Sequence, residues 1–322
     1  MEEKNRNSFI FNFNMKRFIV HIGIFLAVVG LSCYVVLYQA DGATDAFYVK
    51  FTSPKQQSLI IGSSRAAQGL HPKVINQNLP NAHIYNYAFS RVHTPYGKPY
   101  LESIKEKLET NTTNGIFIVE VNPWSISSKK GEELDDENFS ENASYLGKVK
   151  NVTAKPNLTY LLNFYGGRNV EIITKKGTNY HGETLFVHDD GWFEVSLKDT
   201  EQKNKNRIKS TLGSYKKIRE EYKGISDVRL DYLEQTIRFL KKHGDVFLLR
   251  LPIDTRMMRI EDTLIPDFDV QMEILANKTE VKYLNLIPKN RDYHYNDGHH
   301  LNIQDGRLLS KSIADSIQYY KK

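Results

Sequence analysis

Near the start of the chain, "LIIGSSRAAQGLHP" (residues 59–72) sets Ser63 and Ser64 behind an apolar run and a glycine. Near its end, "NDGHHLNIQDG" (296–306) holds Asp297 and His300 three residues apart. A serine hydroxyl is a weak nucleophile until a base takes its proton. An imidazole is the better base when a carboxylate fixes its tautomer and stabilises the imidazolium. Ser64, His300 and Asp297 are therefore a set that acyl-ester chemistry can use.

Each of these residues also has a plainer reading. Serine is among the best helix N-caps, so Ser63 or Ser64 can simply cap the helix that follows. Asp297-Gly298 is a strong turn signal. His299 stands beside His300, and the D-x-x-H spacing selects His300. Zinc could take His294, His299, His300 and Asp297, since imidazole and carboxylate suit that metal, but the cluster lacks the i, i+4 helical pair that makes ligands converge. "IIGSSR" is not a phosphate loop: G-x-G-x-x-G is absent and no Lys-Ser or Lys-Thr pair follows the glycine. Arg65 can contact an anionic group on a substrate or form a structural ion pair.

The elements that must position these residues follow from the apolar pattern. Short apolar runs at Ser58–Gly62, His83–Tyr87, Gly115–Val121, Asp245–Leu251 and Val281–Leu286 read as strands covered on both faces. Amphipathic helices alternate with them, including "PYGKPYLESIKEKLE", "DVRLDYLEQTIRFLKKHG" and a terminal helix from about Ile303. Strand and helix in alternation predict an α/β fold with a parallel sheet and helices on both faces. In such a sheet, reacting side chains sit beyond the carboxyl ends of the strands. "GSSR", "NYAFSR", "EVNPW" and "YNDGHHLNIQDG" all fall there. The alternation breaks from about Pro123 to Ser210, a polar insertion after the third strand that reads as a solvated excursion or as a lid over the sheet edge.

Residues 18–38, "FIVHIGIFLAVVGLSCYVVLY", contain no acidic or basic side chain other than His21. At about 1.5 Å per residue this run spans roughly the 30 Å hydrocarbon core of a bilayer. It is longer than a usual signal-peptide core and no clear A-x-A site follows it, which favours an uncleaved anchor. Lys4, Arg6, Lys16 and Arg17 precede the run, while Asp41 and Asp45 follow it. The positive-inside rule then puts residues 1–17 in the cytoplasm and the domain outside. Residues 39–54 read as a linker and 55–322 as the domain. The formal net charge of +6 is too mild, and too free of aromatic-basic or zinc patterns, for a nucleic-acid partner. The single cysteine, Cys33, forms no intrachain disulfide and supports no cysteine-based metal site.

Gly62-Ser63-Ser64 with the distal Asp297, His300, Leu301 and Gly306 resembles the SGNH (GDSL-like) family of serine esterases and acyltransferases, over roughly residues 55–322 apart from the insertion. The family's first motif is G-D-S, here with Ser63 in the aspartate's place, and its last is D-x-x-H. The resemblance implies a three-layer, flavodoxin-like α/β/α sandwich on a parallel sheet of about five strands, with Ser64 as nucleophile, His300 as base and Asp297 as its orienting carboxylate. It also implies an oxyanion hole made of the Ser64 N–H, a donor after the second strand and an asparagine after the third. Asn122 matches the last, in Glu120-Val121-Asn122-Pro123 where the family has G-x-N-D. No glycine follows the second strand before Gly97, so the backbone of Ser90 or Arg91 takes that part.

The function so implied is ester hydrolysis or O-acyl transfer, without cofactor or metal, on an acylated carbohydrate or other ester of the bacterial cell envelope, with a membrane acyl-donor protein as a candidate partner. A noncatalytic, membrane-anchored carbohydrate-binding or assembly protein of the same fold is the alternative.

Overall fold

The computed structural model describes residues 15–43, 45–132, 136–167, 169–174, 179–180, 183–198 and 200–321. Five strands, β1 (Ser58–Ile61), β2 (Ile84–Asn86), β3 (Gly115–Glu120), β4 (Gly244–Arg250) and β5 (Lys282–Asn285), form one sheet in the order β5-β4-β3-β1-β2. Every pairing is parallel. Each strand lies within a residue or two of its sequence-based bounds, because runs buried on both faces leave little ambiguity about where a strand begins.

The helices used below are α1 (Met15–Tyr38), α2 (Ser64–Gly69), α3 (Lys98–Lys107), α4 (Glu201–Glu221), α5 (Asp227–Lys241), α6 (Thr255–Leu264), α7 (Phe268–Thr279) and α8 (Ile303–Tyr320). Side chains alternate across the sheet and feed two cores. Leu59, Ile61, Phe117, Val119 and Leu248 pack with α3, α5 and α7 on one face. Ile60, Ile116, Ile118, Phe247 and Leu249 meet α2 and α8 on the other. The period of two in the strands thus produces the three layers.

Two expected boundaries move. The polar insertion does not end near residue 210, which falls inside α4; the chain continues as helix to Glu221 and then pairs Tyr222–Ile225 antiparallel with Ser127–Lys129. The stretch 39–54 is not all linker. Tyr48–Thr52 is a short helix whose Tyr48, Lys50 and Phe51 are fully buried, with Lys50 Nζ donating to Ala88 O at 2.7 Å and Asn86 Oδ1 at 3.2 Å. That segment belongs to the folded domain.

At the N-terminus, α1 is a single 24-residue helix, apolar (mean hydropathy 2.4 in its best window) and long enough to cross a membrane.

Candidate active site

The site begins at the turn from β1 into α2. Gly62 has φ +140, a conformation L side chains rarely adopt, and a Cβ there would lie 2.6 Å from Glu120 Cβ and Oε2. The glycine lets the turn settle directly onto the end of β3. The two serines then divide their tasks. Ser63 is the N-cap of α2, its Oγ accepting the Arg65 N–H at 3.3 Å. Ser64, the first residue of the helix, is left with a free choice of partner, and its Oγ lies 2.9 Å from His300 Nε2.

The histidine arrives from 236 residues away, on the loop that feeds α8. His300 Nδ1 is 2.8 Å from Asp297 Oδ2, and Asp297 Oδ1 accepts the backbone N–H groups of His300 at 3.0 Å and His299 at 3.2 Å. This network assigns the proton of a neutral His300 to Nδ1, which leaves Nε2 as acceptor for the serine hydroxyl. Burial alone would raise the Asp297 pKa, but the adjoining His300 ring, reinforced by their hydrogen bond, His299 and the His300 backbone N–H, holds it well below the usual carboxylate range.

Several groups shape that loop. Gly298, at φ +98, makes the turn, and its carbonyl accepts Asp254 N–H at 2.9 Å. Asn302 caps α8 by accepting the Asp305 N–H at 2.8 Å. From α4, Asn204 Nδ2 donates to Tyr295 O at 2.8 Å and Arg207 Nε to Asn296 O at 2.8 Å. In α8, Gly306 permits close packing, since a Cβ would lie 2.8 Å from His71 Nε2 and 3.0 Å from Gly69 O.

Ligand atoms of Asp297, His299 and His300 lie within 4.8 Å of one another. The fourth member of the zinc reading is elsewhere: His294 is exposed and rests its Nδ1 on Asp305 at 3.0 Å. Burial keeps His299 neutral, its pKa well below the ordinary histidine value. Its ring sits 3.9 Å, centroid to centroid, from that of His300.

Ser64, Ser90 and Asn122 line one cavity of about 310 Å³. A larger one of about 550 Å³ lies against α3 and the 136–152 segment, and none of the expected site residues lines it. As the first residue of α2, Ser64 carries an N–H that no carbonyl of the helix can meet. Ser90 is brought close because the loop after β2 is tied to the Gly62–Ser64 turn: Phe89 N–H at 3.1 Å and Thr94 Oγ1 at 2.8 Å both donate to Gly62 O. A 2.6 Å hydrogen bond between Ser90 Oγ and His93 Nδ1 fixes the loop further. Asn122 caps the 3-10 turn Pro123–Ser125, and its Nδ2 donates to Glu120 Oε1 at 2.8 Å and Ser63 Oγ at 3.3 Å.

Arg65 is the expected residue with two readings. It borders the cavity, but its side chain is buried, and Nη2 donates to Glu261 Oε1 and, at 2.7 Å, to Tyr215 Oη. Trp124 Nε1 donates to the same Glu261 oxygen at 2.7 Å. Of the two readings of Arg65, the structure shows the internal ion pair, made through Nη2.

Three participants were not singled out from the sequence, and a fourth, Arg91, was considered there only for its backbone. Glu120 is fully buried beneath the turn and accepts the Ser63 N–H at 2.7 Å. Its only signal was an acidic residue where the resembling family has glycine. Tyr215 and Glu261 sit on α4 and α6, whose relation to the turn is long-range. Arg91 borders the cavity and donates Nη1 to Tyr222 Oη at 3.0 Å. Its place next to Ser90 was the available clue.

No family model and no curated protein matches the chain. Among solved structures it is similar to Est24, a carbohydrate acetylesterase from Sinorhizobium meliloti, with a TM-score of 0.39 and 10% identity over 83% of this chain and 100% of that one.

Proposed function

We propose that this protein is a serine-dependent acyl-ester hydrolase or O-acyltransferase, working on an acylated carbohydrate at the outer face of a bacterial cytoplasmic membrane to which α1 anchors it. The observation that carries the reading is the linear relay from Ser64 Oγ through His300 to Asp297, with contacts of 2.9 and 2.8 Å. Within hydrogen-bonding distance on both sides, the imidazole can take the serine proton as Oγ attacks.

In this reaction Ser64 Oγ forms a bond to the ester carbonyl carbon while its proton passes to His300 Nε2. Asp297, held ionised, stabilises the imidazolium. The oxyanion lies against the N–H groups of Ser64 and Ser90 and the side-chain amide of Asn122, whose long contact to Ser63 Oγ is the one it displaces. Collapse breaks the carbon–oxygen bond to the alcohol, which leaves with the proton from His300. Water or a second hydroxyl then gives a proton to His300 and bonds to the acyl carbon; the carbon–Oγ bond breaks and His300 returns that proton to Ser64 Oγ, completing hydrolysis or transfer.

The test is covalent labelling of the full-length protein in detergent with a fluorophosphonate, read by intact mass. One adduct on the wild type, absent from Ser64→Ala and His300→Ala, is expected. A wild type that stays unlabelled beside a reactive control esterase would favour a noncatalytic carbohydrate-binding protein.

A further inference from the structure

Arg65 is paired internally with Glu261, and a second guanidinium, that of Arg91, also borders the cavity. Arg91 is half-buried, next to the proposed oxyanion donor Ser90, and its partner is neutral: Nη1 donates to Tyr222 Oη at 3.0 Å, with the guanidinium carbon 5.8 Å from the centre of that ring. No carboxylate among the described residues lies within 4.0 Å of it. The nearby acids are already engaged: Asp297 by His300, Glu261 by Arg65, and Glu120 by the Ser63 N–H and the Asn122 amide. A cation drawn partly out of water without a counter-charge is costly, and an anion arriving with a ligand removes that cost.

A second observation has the same sign. One wall of the cavity is α4, through Ser210, Ser214 and Tyr215 among others. Its segment "KNKNRIKSTLGSYKKIR" (203–219) has no acidic residue. Lys209, Lys216 and Lys217 are exposed beside those wall residues and meet no carboxylate within 4.0 Å among the described residues. A cleft bordered by one sign of charge concentrates ligands of the other.

We propose that the Ser64 cavity takes an ester that also carries an anionic group, a carboxylate or a phosphate, which pairs with Arg91 while α4 attracts the remainder of an acidic glycan. This specifies the substrate class of the function proposed above and rests on it.

Binding can be measured apart from turnover in the full-length Ser64→Ala protein in detergent, by calorimetry with an O-acetylated oligogalacturonate, an O-acetylated sugar phosphate and an O-acetylated neutral xylo-oligosaccharide. At least one acidic ligand is expected to bind about tenfold or more tighter than the neutral one, and the tighter acidic ligand identifies carboxylate or phosphate. The advantage should shrink as salt rises from about 0.05 to 0.5 M. Adding Arg91→Gln should remove most of it, whereas Arg91→Lys, which keeps the charge, should retain part. Equal binding of acidic and neutral ligands, no binding of any, or an advantage undiminished by Arg91→Gln overturns the inference. Fluorophosphonate labelling of the wild type is run in parallel: acidic preference without an adduct removes the catalytic reading alone, and an adduct without acidic preference removes this inference alone.

Discussion

Glu120 and Asn122 stand two residues apart at the end of the central strand, and the Glu120 carboxylate accepts the Asn122 side-chain amide at 2.8 Å. Its other oxygen takes the Ser63 N–H at 2.7 Å, so one buried carboxylate orients both the turn of the proposed nucleophile and the proposed oxyanion donor. Glutamine can accept only one of these donors well and turns an N–H toward the other. Glu120→Gln is expected to slow fluorophosphonate labelling by about 10- to 100-fold and to lower unfolding free energy by about 1–3 kcal/mol. Labelling at the wild-type rate would mean that Glu120 is structural only.

The relay makes graded predictions. Asn122→Ala should slow adduct formation by about 10²- to 10³-fold, the usual cost of one oxyanion donor. Asp297→Asn should cost about 10⁴-fold, because it no longer fixes the acceptor nitrogen of His300 toward Ser64. Single-turnover labelling rates check both, and a milder effect from Asp297→Asn than from Asn122→Ala would contradict the assigned roles.

Glu261 tests the reassignment of Arg65. Its carboxylate pairs with Arg65, accepts Trp124 Nε1 and lies 3.8 Å from Arg250 Nη2, all buried. Removing it leaves guanidinium charge uncompensated in the interior. Glu261→Ala should destabilise the domain by about 3–5 kcal/mol in urea unfolding, with Trp124 fluorescence altered in the native state. A loss under about 1 kcal/mol would show the pair to be dispensable.

Acid should weaken the fold before it reaches the carboxylates. Burial lowers His93 from the ordinary 6.5 to about 4, and burial, aided by Arg307 and His188, lowers His71 to about 3. Between 6.5 and those values the unfolded chain holds protons that the folded one does not. Stability is therefore full above 6.5 and falls with pH down to about 3. Each imidazole should contribute on the order of 1–3 kcal/mol to the drop. Urea midpoints at pH 7.5 and 4.5, compared with those of His93→Gln, read the effect, and equal wild-type midpoints at the two pH values would refute it.

Much of this arrangement was legible in the chain. The strands could be placed because burial on both faces demands unbroken apolar runs, and Asp297 and His300 could be paired because the contact spans only three residues. The long α4 was hidden: among its described residues only Ile208 and Tyr215 are buried, so an apolar stripe hardly shows. The helix at Tyr48–Thr52 was obscured by Lys50, whose charge conceals full burial against Ala88 O and Asn86 Oδ1. The fate of Arg65 depended on Glu261, 196 residues away, a distance over which spacing carries no information.

Helix α4 walls the cavity through Ser210, Ser214 and Tyr215, and one or two turns earlier it grips the histidine loop through Asn204 and Arg207. A swing of this helix that widened the cavity would pull on the backbone that carries His300, the proposed base. Under the proposed reaction, ligand entry and proton abstraction would then be mechanically coupled: an ajar cleft would be an idle one. Slow opening of α4 would show up as correlated hydrogen exchange in α4 and in residues 295–300, two segments far apart in the chain.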